Sequence, residues 1–378
     1  MPDVLIYGDT DRFPVLRHEL GLSILDPFLY AEVGGRTYIE VSPIEADRIA
    51  AARPDVELLH DTELGFHELL ESGISRAQVE LELAIRAVQR TGVREALVPG
   101  EFPLALADRL RADGLTLTPD LEHFAARRRS KSPIELAGIR LAQQAAEAGM
   151  AAAAALLRRA EIDGDKLVVD GEPLTAELVR AALRDACAAA GAPAPPDVIV
   201  ASVWDGFGHE PGSGPLPANL PIQVDLWPQD EATGCWADMT RTFVIGEVDE
   251  RTRRQEALVR QAIERAREAA RPGVTGRELH ALACEVFEEA GFRTQRTGPG
   301  EHPGEGFQFS LGHGVGLEVH EAPSLGQSGR DPLVPGDVIA IEPGLWERDL
   351  GGVRFEDLLL ITEDGAETLT RYAYDLTP

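Results

Sequence analysis

Four acidic residues follow apolar, alternating segments of the kind that form strands facing a core. Asp225 and Asp238 lie on consecutive segments joined by the turn PQDEATG, and Glu342 and Glu356 repeat the arrangement farther along the chain. Antiparallel pairing of such segments brings carboxylates to one face of a sheet. Buried together they repel each other, so they are tolerated only with a cation, a shared proton or basic partners.

A glycine-rich stretch between the two acidic pairs, LGHGVGLEVHE, contains His313 and His320. Its glycines disfavour a helix, so helical packing does not explain either histidine. Four carboxylates with His313 form an oxygen-rich, nitrogen-poor set that suits Mn²⁺, Co²⁺, Fe²⁺ or Zn²⁺, and two such ions rather than one. Any one of these residues alone could be a solvated or salt-bridged side chain, so the interpretation depends on their combination.

Composition excludes several classes of protein. The chain has 378 residues and a formal net charge of −28, which disfavours nucleic acid and anionic membranes as partners because its field repels phosphates. The charge serves solubility, or it reflects carboxylates clustered around a cation. Three cysteines without CxxC spacing predict neither a disulfide framework nor a zinc ribbon. With no signal-peptide pattern and no apolar run of membrane-spanning length, we expect a cytoplasmic protein.

The elements that would position the acidic residues form a repeated pattern. Two pairs of helices, each followed by β-like segments, are predicted over residues 133–160, 175–190, 250–271 and 276–290. Ser132 with Glu135, and Thr275 with Glu278, form capping boxes that start two of these helices. The repetition indicates an internal duplication, with helices on one face of a mostly antiparallel sheet.

The first part of the chain has a different pattern. Residues 4–119 alternate short apolar segments such as VLIYG and RTYIEVS with helical patterns such as RAQVELELAIRAVQRTG, which predicts a small α/β domain. The basic run RRRSK that follows is interpreted as a solvated connector and not as a nucleic-acid patch. We therefore predict two domains, residues 1–126 and 127–378.

The segments VDLW, WADMTRTF, GHGVGLEVHE, IEPG and VRFED together resemble the pita-bread metallopeptidases, which include prolidase, aminopeptidase P and methionine aminopeptidase. The similarity runs through residues 130–378. The N-terminal domain and the linker RSKSPIELAGIR resemble the creatinase, aminopeptidase P and prolidase branch. The resemblance implies an α+β fold, in which a pita-bread catalytic domain of duplicated αα-β halves follows a creatinase-like α/β domain. It also implies a homodimer.

The resemblance implies a metal-binding set as well. Two divalent ions, most often Mn²⁺ with Co²⁺ or Zn²⁺ as alternatives, would be held by Asp225, Asp238, His313, Glu342 and Glu356. Asp238 and Glu356 would bridge the two ions, Asp225 would complete one of them, and His313 with Glu342 the other. Creatinase shares the fold without these ligands, so its activity is not expected here.

The implied catalysis uses a hydroxide that bridges the two ions as the nucleophile. Glu342 would shuttle the proton, while His209 and His320 would steady the substrate and the tetrahedral intermediate. Arg354, two residues before Glu356, would orient that acid and its neighbours.

Three positions depart from the family pattern. Asp225 and Asp238 are thirteen residues apart, two more than usual, which enlarges the turn and should leave the ligands in place. Phe309 stands where prolidases and aminopeptidases P commonly carry a histidine. His302 could substitute for that histidine, although a surface-loop role is favoured, and Trp227 is interpreted as core packing.

The function implied is hydrolysis of the bond between an N-terminal residue and proline in small peptides, as an Xaa-Pro dipeptidase or an Xaa-Pro aminopeptidase. Two alternatives remain open. One is an aminopeptidase or amidohydrolase of other specificity in the same fold, which Phe309 would favour. The other is a non-catalytic binding module, which the presence of all five implied ligands disfavours.

Overall fold

A computed structural model describes residues 2–202 and 208–378 of the chain. The chain divides into two compact units, Met1–Arg128 and Arg129–Pro378. Each unit is considered by itself below. In neither unit does a described helix combine the length and the apolar character that crossing a bilayer requires.

The first unit contains a six-stranded sheet. Its strands are β1 (Val4–Gly8), β2 (Phe28–Val33), β3 (Arg36–Val41), β4 (Glu57–His60), β5 (Glu95–Val98) and β6 (Thr116–Pro119), in the spatial order β4-β3-β2-β1-β5-β6. The two central hairpin pairs, β1 with β2 and β2 with β3, are antiparallel, and the outer pairs are parallel. The sequence patterns did not single out β2 or β6.

Helices cover both faces of this sheet. They are α1 (Pro14–Leu20), α2 (Ala46–Ala52), α3 (Phe66–Glu71), α4 (Arg76–Thr91), α5 (Leu104–Ala112) and α6 (Leu121–Arg127). Alternate residues of β1 enter different cores: Leu5 packs with residues of α4 and α5, whereas Val4 and Ile6 pack with residues of α1. The unit is therefore an α/β layer structure, because side chains of a strand point alternately to its two faces.

The second unit contains the two predicted helix pairs. They are α7 (Pro133–Arg158) with α8 (Ala176–Ala189), and α9 (Glu250–Ala269) with α10 (Gly276–Glu289). The predicted capping boxes are present: Ser132 and Thr275 each accept a bond from the third residue of the helix, and the glutamate there bonds back. Each helix pair contributes to its own apolar core, and α7 also packs in a further core with Val338, Ala340 and Leu358 of the second half.

The strands of the second unit form small antiparallel sheets. In chain order they are β7 (Glu161–Asp163), β8 (Lys166–Val169), β9 (Glu172–Pro173), β10 (Ile199–Ser202), β11 (Ile222–Leu226), β12 (Gln229–Asp230), β13 (Cys235–Trp236), β14 (Met239–Phe243), β15 (Gly312–Gly314), β16 (Val338–Ile341), β17 (Gly344–Glu347), β18 (Gly351–Arg354), β19 (Asp357–Ile361) and β20 (Ala366–Thr368). The two larger sheets have the orders β10-β11-β14 and β15-β16-β19-β20.

Three of the four acidic residues lie where the strands break. Asp238 falls between β13 and β14, Glu342 between β16 and β17, and Glu356 between β18 and β19, whereas Asp225 lies within β11. The sequence analysis placed Glu342 and Glu356 directly after apolar segments, and the structure has a strand end just before each of them. Their backbone N–H groups still bond to neighbouring segments, Glu342 N to Leu311 O at 2.8 Å and Glu356 N to Thr240 O at 3.1 Å.

A buried arginine connects β14 to the end of the described chain. Arg241 is completely buried, and its guanidinium donates five hydrogen bonds of 2.7–2.9 Å to oxygens of Thr240, Glu356, Asp357, Tyr372 and Ala373. Its guanidinium carbon also lies 4.7 Å from the centre of the Tyr374 ring, within cation–π range. Arg241 thereby holds the carbonyl group of Glu356 and the side chain of Asp357, the residue that follows it.

Candidate metal centre

Carboxylates from both sheets converge in the second unit. One oxygen each of Asp225, Asp238 and Glu356 lies within 4.8 Å of the others, and the three residues are between 1 and 6% exposed. The opposition of Asp225 to Thr240 in the β11–β14 register puts Asp225 and Asp238 on the same face, as the sequence predicted. The convergence of these carboxylates creates a strongly negative position that is shielded from water.

A histidine and a further carboxylate adjoin this group. His313, Glu342 and Glu356 form a second set whose ligand atoms lie within 4.8 Å of one another. His313 Nε2 lies 3.4 Å from Glu342 Oε1 and 3.7 Å from Asp238 Oδ2, and His313 Nδ1 contacts the carbonyl oxygen of Gly314 at 3.1 Å. Because Glu356 belongs to both sets, the five residues surround two adjacent positions.

The donor atoms of this cluster fit divalent cations. Asp225 Oδ1, Asp238 Oδ1 and Glu356 Oε1 are buried and have no hydrogen-bond donor. Buried carboxylate oxygens are rarely left in this condition unless an ion binds them. Four carboxylates and one imidazole match the preferences of Mn²⁺, Co²⁺ and Zn²⁺, and the two overlapping sets give room for two ions.

A buried arginine offsets part of the negative charge. Arg354 is 2% exposed; its Nη2 pairs with Asp225 Oδ2, and its Nη1 lies 3.4 Å from Glu342 Oε2. Arg354 therefore lies between a carboxylate of each sheet. Its guanidinium contacts two acids of the cluster at once, an arrangement that can orient carboxylates.

The pKa values of the acids show how strained the cluster is without a cation. Burial raises the pKa of Asp238 well above its usual value, and the nearby charges of Glu356 and Asp225 raise it further. Burial, followed by Glu342 and Asp225, raises the pKa of Glu356 to about 8. Burial also acts to raise the pKa of Glu342, but the hydrogen bond with His313 and the charge of Arg354 outweigh it and lower that pKa. Cations would replace the protons that this cluster otherwise holds.

The two remaining predicted histidines are exposed at this end of the unit. The ring of His320 lies 4.2 Å from the ring of His313 and perpendicular to it. Burial, and then the positive charge of His313, lower the pKa of His320, which favours its neutral form. One His320 nitrogen also lies within 4.8 Å of ligand atoms of Asp238 and His313. His209 meets Phe309 edge to face, at 6.4 Å between ring centres.

The residues discussed as departures from the family pattern can be placed in the structure. Phe309 is half-buried and forms edge contacts with Phe307 at 4.9 Å and Trp346 at 5.3 Å, so an apolar ring lies beside His209. His302 contacts Arg348 at 2.7 Å, which agrees with the surface-loop interpretation and not with the substitute role. Trp227 packs against the core of the first helix pair, as expected.

Two groups that contact the cluster or its loop were missed in the sequence. Thr240 donates a 2.7 Å hydrogen bond to Glu356 Oε2. This bond fixes the orientation of the carboxylate, whose other oxygen is the unpaired one. Its position two residues after Asp238 in an alternating strand was a usable signal. Lys131 and Glu321 form a buried ion pair, and nothing in the local sequence pattern connects residues so far apart.

Comparison with known proteins gives a consistent picture. Residues 137–363 match the family described as metallopeptidase family M24. The chain is 45% identical over 140 residues to the Xaa-Pro dipeptidase of Pyrococcus furiosus, and this match spans 37% of each chain. The curated relatives are thus matched over little more than a third of their length.

Solved structures match over nearly the whole chain. The prolidase from Pyrococcus horikoshii OT3 superposes with a TM-score of 0.73 and 25% identity, covering 100% of this chain and 95% of that one. An X-Pro aminopeptidase from Thermotoga maritima has a TM-score of 0.76 at 20% identity over 98% of this chain and 96% of that one, which shows the fold alone. The predicted α+β pita-bread fold is confirmed, and the chain belongs to metallopeptidase family M24.

Proposed function

We propose that this protein is a metal-dependent peptidase that cleaves the bond between an N-terminal residue and proline in small peptides. The observation that carries the proposal is the convergence of three buried, unpaired carboxylate oxygens with Glu342 and His313 Nε2. The Xaa-Pro dipeptidase of Pyrococcus furiosus and the prolidase of Pyrococcus horikoshii, which this chain resembles, support the proline specificity.

Five residues of the second unit would hold two divalent cations, with Mn²⁺ the first choice and Co²⁺ or Zn²⁺ the alternatives: Asp225, Asp238, His313, Glu342 and Glu356. Glu356 would be shared by both ions because it belongs to both sets, and Asp238, whose Oδ2 lies 3.7 Å from His313 Nε2, would be the second shared ligand. The bound cations would supply a water of lowered pKa and would polarise the carbonyl group of the scissile bond.

The protein side chains would carry the remaining steps. Glu342 would take the proton of the attacking water and return it to the leaving nitrogen of proline, because its carboxylate lies beside both the ligand set and His313 Nε2, 3.4 Å away. His320 and His209 donate hydrogen bonds to the substrate as negative charge develops on the carbonyl oxygen. Arg354 holds Asp225 and Glu342 in place through its two nitrogen contacts.

A related specificity in the same fold is a second candidate. Phe309 lines the region beside His209 with an apolar ring that cannot donate a hydrogen bond. A peptide or other amide with an apolar group at this position would be favoured over one that needs a polar contact there. The catalytic groups would be the same, so substrate choice alone separates the two candidates.

The test is hydrolysis of Ala-Pro, Ala-Ala and Ala-Pro-Ala by protein stripped with chelator, with and without added Mn²⁺. We expect metal-dependent cleavage of the proline peptides only, and the preferred length decides between dipeptidase and aminopeptidase. Cleavage of Ala-Ala at an equal rate would favour the second candidate. Tight binding of two ions without cleavage of any peptide would contradict both.

The second unit, residues 127–378 in the predicted division, would be the catalytic domain. The protein would be a homodimer in the cytoplasm, in which the first unit of one subunit restricts the access of peptides to the catalytic domain of the other. Analytical ultracentrifugation of the full chain tests the assembly. A monomer that retains full activity would contradict a role for the dimer.

A further inference from the structure

A buried ion pair lies beside the loop that carries His320. Lys131 Nζ and Glu321 Oε1 are 2.6 Å apart, and their side chains are 1% and 2% exposed. Lys131 directly precedes the capping residue of α7, and Glu321 directly follows His320. The ion pair therefore connects the start of a long helix to the residue next to a predicted catalytic histidine.

The loop from 314 to 321 is closed at its base. Gly314 N donates to Glu321 O at 3.0 Å, and Glu321 N donates to Gly314 O at 2.9 Å. His313 lies just outside these two bonds and His320 just inside them, and their rings meet at 90°. Because the N–H and the carbonyl of Glu321 are both bonded to Gly314, the position of Glu321 constrains the direction of the adjacent His320.

The ion pair occupies the inside of this loop. A Cβ atom at Gly316 would lie 2.6 Å from Glu321 Oε1 and 2.6 Å from Lys131 Cε, so only glycine leaves room for both side chains. The carbonyl of Gly316 accepts a bond from Trp236 N at 2.8 Å, and Glu321 Oε2 accepts from Glu318 N at 3.4 Å. The loop is thus built around the carboxylate of Glu321.

Fold stability does not explain why charges occupy this place. Removing two ions from water is costly, and apolar residues of similar volume often replace a buried ion pair with no loss of stability. An ion pair instead specifies one geometry, because its attraction and hydrogen bonds depend on direction. The directional geometry of the ion pair therefore suits a role in positioning the neighbouring residues of the loop.

We propose that the Lys131–Glu321 ion pair is a positioning device that sets the orientation of His320 relative to His313 and the carboxylate cluster. The inference rests on the proposed function, because it takes His320 to contact the reacting carbonyl. Lys131 and Glu321 act only through His320 and touch no substrate. They should therefore affect turnover more than metal binding or folding.

The decisive variant is Lys131→Met/Glu321→Met in the full, metal-loaded chain. We expect a melting temperature at or above that of the wild type, unchanged affinity for Mn²⁺ by calorimetry, and a KM for Ala-Pro within about threefold. We expect kcat to fall between roughly 10- and 100-fold, the scale for a misplaced catalytic contact. A stable double variant with wild-type kcat would overturn the proposal.

A neighbouring ion pair provides the matched control. Arg129 Nη2 and Asp337 Oδ2 are 2.5 Å apart with side chains 11% and 0% exposed, and Arg129 lies only two residues before Lys131. Arg129→Met/Asp337→Asn should change the melting temperature without lowering kcat. An equal loss of kcat in this control would contradict the proposal, since general loosening of the helix start would then explain both.

A second variant disturbs the ion pair without removing either charge. Gly316→Ala pushes against Glu321 and Lys131 from inside the loop, and we expect it to lower kcat with little effect on KM. An unchanged kcat, with a crystal structure showing the displaced ion pair, would contradict the proposal.

The position of His320 can also be tested independently of peptidase activity. Crystal structures of the wild type and the double methionine variant should show the His313–His320 ring separation of 4.2 Å changed in the variant. An unchanged ring position would overturn this inference even in an active enzyme. Failure of the wild type to cleave any Xaa-Pro peptide would overturn the proposed function. The comparison of the two crystal structures would then remain as the test of whether the ion pair positions His320.

Discussion

The two halves of the second unit contribute differently to the carboxylate cluster. The first half provides Asp225 near the end of β11 and Asp238 just before its pairing strand β14. The second half provides Glu342 just after β16 and Glu356 just before its pairing strand β19. Among the described residues, the side chains that form ion pairs with these four carboxylates, His313 and Arg354, come from the second half.

The comparison shows which features come from the duplicated strands. Corresponding positions in two antiparallel strand pairs provide the four acids that converge, and hence the capacity to bind cations. The histidine and the arginine that pair with the acids are additions to the second half, whereas the side chains proposed to meet a substrate come from both halves, His209 from the first and His320 from the second. Substitutions at the two acids of the first half should therefore act mainly on metal affinity, and those at His320 mainly on turnover.

Asp238→Asn should have the largest effect. Loss of one charged oxygen from two overlapping ligand sets should weaken Mn²⁺ binding by more than about 100-fold, since even residues that only orient ligands cost 10- to 100-fold. Calorimetry measures the affinity, and hydrolysis of Ala-Pro the lost activity. The metal-free variant should be more stable than the metal-free wild type, because Asp238 is buried among like charges.

Asp230 provides a matched control for that experiment. It is 5% exposed and lies in the turn PQDEATG that leads from Asp225 to Asp238. Its carboxylate accepts a 2.6 Å hydrogen bond from Thr233 and does not belong to the cluster. Asp230→Asn should leave Mn²⁺ affinity unchanged. Comparable metal loss in both variants would mean that the turn and not the ligand is responsible.

His320→Ala tests the other side of the comparison. We expect kcat for Ala-Pro to fall roughly 10²-fold, the usual cost of a lost transition-state hydrogen bond, while two Mn²⁺ ions remain bound. Metal content and steady-state kinetics measure the two effects. His302→Ala, in the surface loop against Arg348, should behave like the wild type. A variant at His320 that loses its metal would place this histidine among the ligands.

Arg354→Lys should have an intermediate effect. A lysine keeps the charge but cannot contact Asp225 and Glu342 with a planar fork, so we expect Mn²⁺ affinity and kcat/KM to fall about tenfold. Arg140→Lys, at an exposed ion pair with Glu367, is the control and should be neutral. Equal behaviour of the two variants would show that Arg354 contributes charge alone.

A buried carboxyl in the first unit should show the smallest effect. Burial raises the pKa of Glu40 to about 8, with Asp61 and Glu80 adding to the shift. Between about pH 4.5 and 8, the folded state then keeps a proton on this carboxyl that the unfolded chain has already released. The stability of this unit should therefore fall as pH rises through that window, and Glu40→Gln should remove the fall.

Urea midpoints measured by hydrogen exchange of peptides covering β2 and β3 test this expectation, because Glu40 accepts a bond from Leu29 N between these strands. Peptidase activity should not change. A pH slope that persists in Glu40→Gln would assign it to other groups. The result would distinguish a carboxyl that is buried and protonated from the acids that are buried together as ligands.

The sequence predicted the helices well because their ends are local. Ser132 and Thr275 cap α7 and α10 as expected, and the four long helices of the second unit end within two residues of the predicted limits. The proximity of Asp225 and Asp238 was also predictable, since it follows from adjacent strands and their alternation, whereas the meeting of this pair with Glu342 and Glu356 was implied by the family resemblance. Side-chain period and capping chemistry operate over a few residues, so they are visible in the sequence.

Other features depend on residues distant in the chain. The apolar pattern continues through Glu342 and Glu356 and does not reveal that the strands break there. Lys131 meets Glu321 across 190 residues, and the acceptors of Arg241 are up to 132 residues away. Such pairings are determined by packing of the whole unit, and a single sequence does not display them.

The bonds of Arg241 have a consequence for the order in which the protein is made. Its acceptors Tyr372 and Ala373 leave the ribosome after every helix and strand of the second unit. Until then the guanidinium of Arg241 lacks two of its acceptors, and burying it in that condition is costly. A chain trimmed before Tyr372 should therefore hold Arg241, and with it the carbonyl of Glu356, less firmly.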